Sequence, residues 1–591
     1  MATPYRTVSR TLLRLASHYR SQFALVGFYA LLATGADLLQ PLIYRVAIND
    51  VAGLFVQAPG GLLPPTTPEE TLRTLLAAVV LLFLISVVGY TFSQRADYRG
   101  SVIASRMEAD LIQSTFGHTL RLPLSFFAQR SGAALAKRIN QCDELSPIVH
   151  AFSQQIVPEA IRLVGICAIM FSQNWQMALV CTSLLPIYLW VARRSAHRLK
   201  SGLNTYYELW ENLAARISDS LSAIKTVKLS GAETREQSRF QVEARTAYDI
   251  YLDRVRVSQR YYLAQSILSN LSKSLVLGYG GYLVFRHQLT PGDVVMFASY
   301  LDRLYSPIDS LNGIAVSLQQ HAISLDRAVE LLETGPTETR GAELLPGAGL
   351  VEFRDLHFAY TPDQPVLRGL NLTLAPGQVT ALAGPSGAGK TTTVDLLMKL
   401  WQPNSGEIFI DGQPLSSLDP SAVRRAIGVV STDGAVFRGT LADNIRYKRP
   451  DATRAEIEAA ALAAGLKRAL DRLPMGIDTP IGDDGIGLSV GERQRLQIAR
   501  VLVDKPRLLI LDEATANLDF ATELEFKLAL SQLEPRPTML IVAHRYTMIQ
   551  DADYVYVLKD GQVAEAGEPA QLMRFDGWFA AMARQSSGLS S

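Results

Sequence analysis

The hydrophobic pattern divides the chain into two halves. Before about residue 330, apolar stretches of about 20 residues recur, the length that an α-helix needs to cross ~30 Å of hydrocarbon. Six membrane spans are predicted, at Phe23–Ala47, Leu75–Phe92, Ile156–Phe171, Met177–Val191, Leu263–Phe285 and Val294–Ile314. From Gly349 onward no such stretch exists, and glycine, charge and short β-like runs replace it. The pattern therefore predicts a helical membrane half followed by a water-exposed half.

The long gaps after the second and fourth spans have heptad-like apolar spacing and little glycine or proline. This spacing predicts that the flanking helices continue far into the cytosol. Each gap should contain one short helix where the chain turns, near Leu122–Phe127 and near Ala214–Ser222. Pro123 favours the first turn, because proline interrupts a continuous helix.

The second half begins with alternating residues at Val351–Leu356, which predict a strand. Strand and helix patterns then alternate, as in α/β domains. The fold class is therefore multidomain: an all-α six-helix transmembrane domain with long cytosolic helical extensions, then an α/β domain. The expected boundaries are 1–20 for a cytosolic interfacial helix, 21–334 for the transmembrane domain, 335–348 for a linker and 349–591 for the α/β domain.

Basic residues orient the chain in a membrane. Four arginines precede the first span, whereas Val51–Glu70 contains no lysine or arginine. Because basic residues remain on the cytosolic side, both termini and the α/β domain are expected in the cytosol, and the chain in an inner (plasma) membrane. A net charge of +1 argues against nucleic acid as a partner.

A phosphate-binding loop follows the apolar strand Val379–Ala383. Its residues are Gly384, Pro385, Ser386, Gly387, Ala388, Gly389, Lys390, Thr391 and Thr392. The glycines allow backbone N–H groups to approach the phosphates of ATP, and the helix that follows favours anions at its N-terminus. Lys390 should reach the β- and γ-phosphates, and the Thr391 hydroxyl should bind Mg²⁺.

Two adjacent carboxylates, Asp512 and Glu513, end another apolar strand that begins at Leu508. A buried strand that delivers two carboxylates to its C-terminal end has few structural explanations. We expect Asp512 to hold Mg²⁺ through water and Glu513 to orient and polarise the attacking water. His544, at the end of a further apolar strand, is expected to contact the γ-phosphate, although a lone histidine is more often structural.

Two further motifs give the chain a family resemblance. Leu488-Ser489-Val490-Gly491-Glu492 resembles the signature loop of ATP-binding-cassette (ABC) proteins, and Asn517-Leu518-Asp519 resembles their D-loop. With six preceding spans, the chain resembles a bacterial exporter-fold (type IV) half-transporter. The resemblance implies that two α/β domains close head to tail, with ATP between the phosphate loop of one and Ser489, Gly491, Glu492 and Asp519 of the other. It also implies that Tyr360 stacks on adenine.

Two positions depart from the family pattern. Thr432 stands where the family usually has a glutamine that touches Mg²⁺, and Val490 replaces a signature glycine. A β-branched residue beside the γ-phosphate restricts the backbone. We expect hydrolysis to continue, at a lower rate.

Polar and charged residues fall inside the predicted spans: Asp37, Glu159, Arg162, Asn270, Lys273, Asp302 and Asp309. A charged residue at mid-bilayer costs about 2.5–3.5 kcal/mol on insertion scales, so these residues should face one another or a water-filled cavity. Two interpretations remain open. One is interhelical pairing that fixes the packing, and the other is a cavity for a charged or amphipathic solute.

The expected function is an ATPase coupled to export or flipping of a small molecule, peptide or lipid across the bilayer, with ATP and Mg²⁺ as cofactors. The alternatives are import of a metal chelate by the same fold, and a membrane protein that ATP gates without pumping. The partner is a second half-transporter. A homodimer is favoured over a heterodimer because no other catalytic residue has been lost.

Overall fold

The computed structural model describes residues 14–586, apart from 56–66, 129, 131, 336, 339, 340, 432, 433, 483–486, 514–522, 524, 525, 527, 529, 531–535 and 544. Most of the predicted interfacial helix at 1–20, together with Thr432, Asp519 and His544, thus lies outside the described residues. The chain forms two compact units. The first contains the residues up to Leu120 and Gly132–Thr334, and the second contains Arg121–Ser131 and the chain from Gly335 onward.

Long helices form the first part of the chain. Numbered α1 to α11, the helices are Arg20–Phe55, Pro68–Thr119, Leu124–Ala128, Gly132–Asn140, Leu145–His150, Val157–Gln173, Trp175–Thr182, Leu185–Ser222, Ile224–Leu229, Glu233–Phe285 and Pro291–Glu333. A π-helical turn, Ala151–Ile156, joins α5 to α6. The predicted helical continuations are confirmed, since α2, α8 and α10 each extend far beyond the hydrophobic span that they contain.

Among the described residues, four helical stretches are long and apolar enough to cross a membrane: Arg20–Phe55, Pro68–Thr119, Ala134–Gln173 and Trp175–Ser195. The fifth and sixth predicted spans lie in α10 and α11. Both carry charged residues, among them Lys273 and Asp302, and such residues reduce the hydropathy of a segment.

The structure corrects two details of the helical half. The fourth predicted span is interrupted between α7 and α8, because Pro186 in the first turn of α8 has no N–H to donate to the preceding turn. The predicted turn helix at Ala214–Ser222 is wrong, since those residues end the long helix α8. The chain turns later, through α9, where Gly231 adopts a φ of +57° that suits glycine. The first turn does contain a short helix, α3.

The second unit is an α/β domain. Its strands β1 to β12 are Val351–Ala359, Pro365–Leu374, Val379–Ala383, Ser405–Ile410, Gln413–Pro414, Ile427–Val430, Gly439–Thr440, Pro480–Ile481, Leu508–Asp512, Thr538–Val542, Tyr554–Lys559 and Gln562–Gly567. Its helices α12 to α20 are Lys390–Leu397, Pro420–Ala426, Leu441–Ile445, Arg454–Ala463, Lys467–Arg472, Val490–Asp504, Tyr546–Ile549, Pro569–Leu572 and Trp578–Ser586.

A six-stranded sheet in the order β12-β11-β3-β10-β9-β6 carries the predicted core strands, and a four-stranded antiparallel sheet in the order β2-β1-β4-β5 accompanies it. Strands β11, β3, β10, β9 and β6 are mutually parallel. Alternate residues of β9 enter two different hydrophobic clusters: Leu509 and Leu511 enter one, and Leu508 and Ile510 the other. A sheet buried on both faces needs continuous apolar strands, which explains the apolar runs in the sequence.

Candidate functional site

The loop after β3 requires glycine at fixed positions. Gly384, Gly387 and Gly389 have φ values of +143°, +80° and +99°. A Cβ at Gly384 would collide with the backbone carbonyl of Leu558. The loop then enters α12 at Lys390. Its backbone thus forms a cradle at a helix N-terminus, the arrangement that binds phosphate in other proteins.

Lys390 is 5% exposed, and its Nζ donates to the carbonyls of Gly384 at 3.0 Å and Pro385 at 2.8 Å. Burial lowers the pKa of the Lys390 ammonium, while Glu513 and Asp512 act in the opposite direction. The structure thus brings Lys390 close to both predicted acidic residues. Thr391, next in the helix, is exposed, so its hydroxyl is accessible at the cradle.

The two carboxylates are positioned by strand register. Asp512 is the last residue of β9 and lies beside Val542, the last residue of β10. Strand β10 also pairs in parallel with β3, so the loop at Gly384 begins at the same end of the strands as the two carboxylates. The Glu513 N–H donates to the Val542 carbonyl at 2.9 Å, and Glu513 has a φ of +53°. Non-glycine residues with such backbone values often lie at functional sites.

Tyr360 lies near the same loop and is 46% exposed. Its ring meets Phe358 and Trp401 edge to face, with centroids 4.8 and 5.0 Å away. Its hydroxyl lies 3.1 Å from Oγ1 of Thr392. These contacts fix the ring on one side and leave part of it accessible. Burial raises the pKa of the neighbouring Asp395 carboxyl, although a hydrogen bond from Tyr360 opposes the shift.

The signature-like segment forms the N-terminus of α17. Ser489 caps the helix: its hydroxyl accepts from the Glu492 N–H at 3.2 Å, and the Ser489 N–H donates to Glu492 Oε2 at 2.7 Å. Arg472 binds both carboxylate oxygens of Glu492 at 2.9 and 3.0 Å. Burial raises the pKa of Glu492, but these bonds outweigh it and hold the pKa below its usual value. Gly491 lies inside this first turn, and the Val490 side chain is 53% exposed.

Sequence analysis missed one connection inside this unit. Arg500, on α17, donates to the side chain of Asn444 at 2.9 Å and to the backbone carbonyl of Ala435 at 2.8 Å. Asn444, 1% exposed, also binds the Phe437 backbone through both its oxygen and its nitrogen at 2.9 Å. The signature helix is thereby tied to the segment that follows β6. No sequence signal predicted this contact, because the residues are far apart along the chain.

In the membrane half, Asp37, Glu159 and Arg162 lie together. Arg162 binds Glu159 at 2.9 Å on the same helix face, and its Nε lies 3.4 Å from Asp37. Arg303 of α11 lies 2.6 Å from Asp37 and donates to Gln40 at 2.7 Å. Two arginines thus balance two carboxylates across α1, α6 and α11.

The remaining predicted membrane residues form separate groups. Lys273 and Asp302 form an ion pair between α10 and α11. Asp309 accepts from Tyr188 at 2.6 Å and from Gln265 at 3.0 Å, whereas the Asn270 side chain bonds back to its own helix. The seven residues therefore do not form one cluster.

Comparisons with known proteins cover both units. A family profile for the ABC transporter transmembrane region matches residues 23–308, and one for ABC transporters matches residues 367–516. A fatty acid ABC transporter ATP-binding/permease protein of Mycobacterium tuberculosis (strain CDC 1551 / Oshkosh) is 35% identical over 78% of this chain and 74% of its own. An ATM1-type heavy metal exporter of Novosphingobium aromaticivorans is 31% identical over 94% and 91%.

Two other matches extend over nearly the whole chain. An ATP-dependent lipid A-core flippase of Syntrophus aciditrophicus is 29% identical over 96% of this chain and 92% of its own. The solved structure of a bacterial Atm1-family ABC exporter with ATP bound superposes with a TM-score of 0.83, at 30% identity, covering 96% and 98% of the two chains. The similarity therefore extends over both units.

Proposed function

The chain belongs to the ABC transporter family and has the fold of its exporter half-transporters, and we propose that two copies of it hydrolyse ATP to export a charged or amphipathic solute across a bacterial inner membrane. One observation carries the proposal. Lys390, Asp512 and Glu513 lie near one another at one edge of a parallel sheet, on a chain that also contains exporter-type membrane helices.

Each residue of this edge has a distinct proposed role. The glycine loop and Lys390 bind the phosphates of ATP, and Tyr360 stacks on adenine. Glu513 accepts a hydrogen bond from the attacking water and so orients it in line with the γ-phosphate. His544, which follows β10 by two residues, is proposed to contact the same phosphate.

The residues present fit Mg²⁺. The Thr391 hydroxyl and the Asp512 carboxylate supply hard oxygen donors, and within the described residues no group of three or more His, Cys, Asp or Glu side chains could hold a metal. Mg²⁺ is typically bound by one or two protein oxygens together with phosphates and water, so a complete protein cage is not required. When bound, the ion neutralises charge that develops on the phosphates.

The position of the signature turn supports the proposed dimer. Ser489 and Glu492 bond to each other, Glu492 also binds Arg472, and within the described chain neither Ser489 nor Glu492 bonds to the loop at Gly384. Ser489, Gly491, Glu492 and Asp519 are proposed to complete the ATP site of the second copy. A homodimer is proposed because this chain retains Lys390 and Glu513.

The names of the relatives do not define one substrate, since they refer to fatty acid, heavy metal and lipid A-core. The proposed substrate class rests on this chain's own membrane residues. Asp37, Glu159, Arg162, Asn270, Lys273, Asp302 and Asp309 are the proposed contacts of the solute pathway.

The test uses the purified full-length chain in sealed proteoliposomes. We expect a dimer by size-exclusion chromatography with light scattering, and ATP hydrolysis that the Glu513→Gln variant lacks. Solute should accumulate only in vesicles whose ATP-binding domains face outward, where ATP is supplied. Accumulation in vesicles of the opposite orientation, loaded with ATP in the lumen, would indicate import, and ATP hydrolysis that no solute stimulates would contradict pumping.

A further inference from the structure

A cavity of about 380 Å³ lies in the first unit, between α1, α2, α6 and the π-helical turn Ala151–Ile156. Polar and apolar surface contribute about equally to its lining, and the polar residues include Asp37, Tyr90, Asp97, Gln154, Glu159 and Arg162. Ligand cavities in proteins usually measure about 300–1,000 Å³, so this space fits a small molecule.

The π-helical turn shapes this cavity. Ser153 and Gln154 lie on the turn and line the space. The Gln154 amide donates to the backbone carbonyl of Asp97 at 2.8 Å, and Gln154 packs so closely on Gly100 that a Cβ there would collide with it. π-helical turns are rare and frequently mark functional sites. Here the Gln154 side chain links the π-helical turn to α2, and both elements form part of the cavity wall.

One group of charged residues at this wall carries equal numbers of positive and negative charges. Asp37 and Glu159 are paired with Arg162, and Arg303 adds a second positive charge on Asp37. This group is therefore neutral as a whole. A bound ion would have to disrupt those pairs in order to use them.

Asp97 is different. Its carboxylate has no hydrogen bond or ion pair within the part of the chain that the structure describes; partial burial disfavours its charge, and the charge of His150 favours it. Arg95 and Arg99 are two positions away on α2, and side chains at that spacing do not face each other on a helix. Asp97 thus gives the cavity one carboxylate that forms no ion pair among the described residues.

We propose that this cavity binds a small organic cation of the ammonium type, with Asp97 as its counter-ion and the Tyr90 ring beside it. A carboxylate supplies charge attraction, and an aromatic ring attracts a cation to its face. Hydroxyls and amides of the wall complete the lining. This inference rests on the proposed transport function, since it names the class of solute.

The position of Asp97 indicates the side from which the cation enters. Helix α2 starts at Pro68, and Asp97 lies about 44 Å further along at about 1.5 Å per residue. The hydrocarbon core is ~30 Å thick. In the proposed orientation Asp97 therefore lies at the cytosolic surface, where an exporter loads its solute.

The experiment measures binding to the full chain in nanodiscs of phosphatidylglycerol, which carries no ammonium group, and subtracts the heat of the same titration into nanodiscs without protein, because the anionic lipid itself attracts cations. Isothermal titration without nucleotide uses benzyltrimethylammonium as the cation and benzenesulfonate as an anion of similar size. We expect saturable binding of the cation and none of the anion. Equal binding of both, or of neither, would overturn the inference.

Variants locate the site. Asp97→Asn should weaken cation binding at least about tenfold, Asp97→Glu should restore it to within about fivefold, and Tyr90→Leu should weaken it about threefold. The control Glu69→Gln removes an exposed carboxylate of the same helix and should change nothing. Unchanged binding in Asp97→Asn contradicts the site.

Basal ATP hydrolysis, measured in the same nanodiscs, separates the two proposals. If the wild type hydrolyses ATP but binds no cation, the inference fails and the proposed function stands. If it hydrolyses no ATP, the proposed function itself fails.

Discussion

The backbone N–H of Glu513 donates to the carbonyl of Val542 at 2.9 Å, so the residue after β9 is still held by β10 although its φ has changed to +53°. This bond fixes the carboxylate in the turn that follows Asp512. The backbone thus holds the position of Glu513. A substitution that keeps the size of Glu513 should therefore keep the geometry.

Glu513→Gln should reduce ATP hydrolysis by about a hundredfold or more, because the amide cannot polarise water as the carboxylate does. ATP affinity should change little. Phosphate release and binding of a fluorescent ATP analogue measure the two effects. Turnover within about twofold of the wild type would remove Glu513 from its proposed role.

Lys390→Ala should weaken the binding of ATP. The buried ammonium now donates to Gly384 and Pro385, and those bonds are expected to be exchanged for phosphate oxygens. Hydrogen bonds to charged groups contribute about 1.5–3 kcal/mol, which corresponds to about ten- to a hundredfold in affinity. Equilibrium binding of ATP checks this, with Lys467→Ala, which removes an exposed lysine of α16, as the control. An unchanged affinity for ATP would contradict the proposed role of Lys390.

Val490→Gly should raise ATP hydrolysis. The Val490 side chain is 53% exposed, so its removal costs little packing, and glycine in the first turn costs about 0.5–1 kcal/mol of helix stability. The gain is a more adaptable backbone beside the partner's γ-phosphate. Steady-state hydrolysis and thermal unfolding are the measurements. A slower enzyme of normal stability would show that valine is adapted to this site.

Ser489→Ala should lower the stability of the α/β domain by about 1 kcal/mol, because the helix loses its N-cap. Hydrolysis should also fall, since the hydroxyl is proposed to bind the partner's ATP. Ser489→Asn keeps a capping oxygen and serves as the control for stability. If that variant is stable and fully active, the hydroxyl contributes only to the cap.

Arg303→Met and Asp37→Asn should be coupled by about 1–2 kcal/mol in a double-mutant cycle, since the two half-buried groups are 2.6 Å apart. Thermal unfolding in detergent measures the coupling. Lys228→Met with Glu233→Gln is the exposed control pair and should show no measurable coupling. Equal coupling in both cycles would indicate that the membrane pair does not fix helix packing.

The sequence alone determined the local features of this protein. Apolar length predicted the membrane helices, and continuous apolar strands with a glycine loop predicted the sheet and its phosphate cradle. These predictions succeed because each depends on neighbouring residues: a span needs its own apolar side chains, and Gly384 needs its own backbone conformation.

Only the tertiary structure decided which distant residues meet. The pairing of Arg303 with Asp37, the contact of Arg500 with Asn444, and the isolation of Asp97 in a cavity each depend on how helices pack. The position of the turn after α8 also depended on the tertiary structure, because the helix continues through Ala214–Ser222 and the chain reverses only after α9, at Gly231. Charge and periodicity describe one helix at a time, whereas the partner of a charge is selected by the surface packed against it.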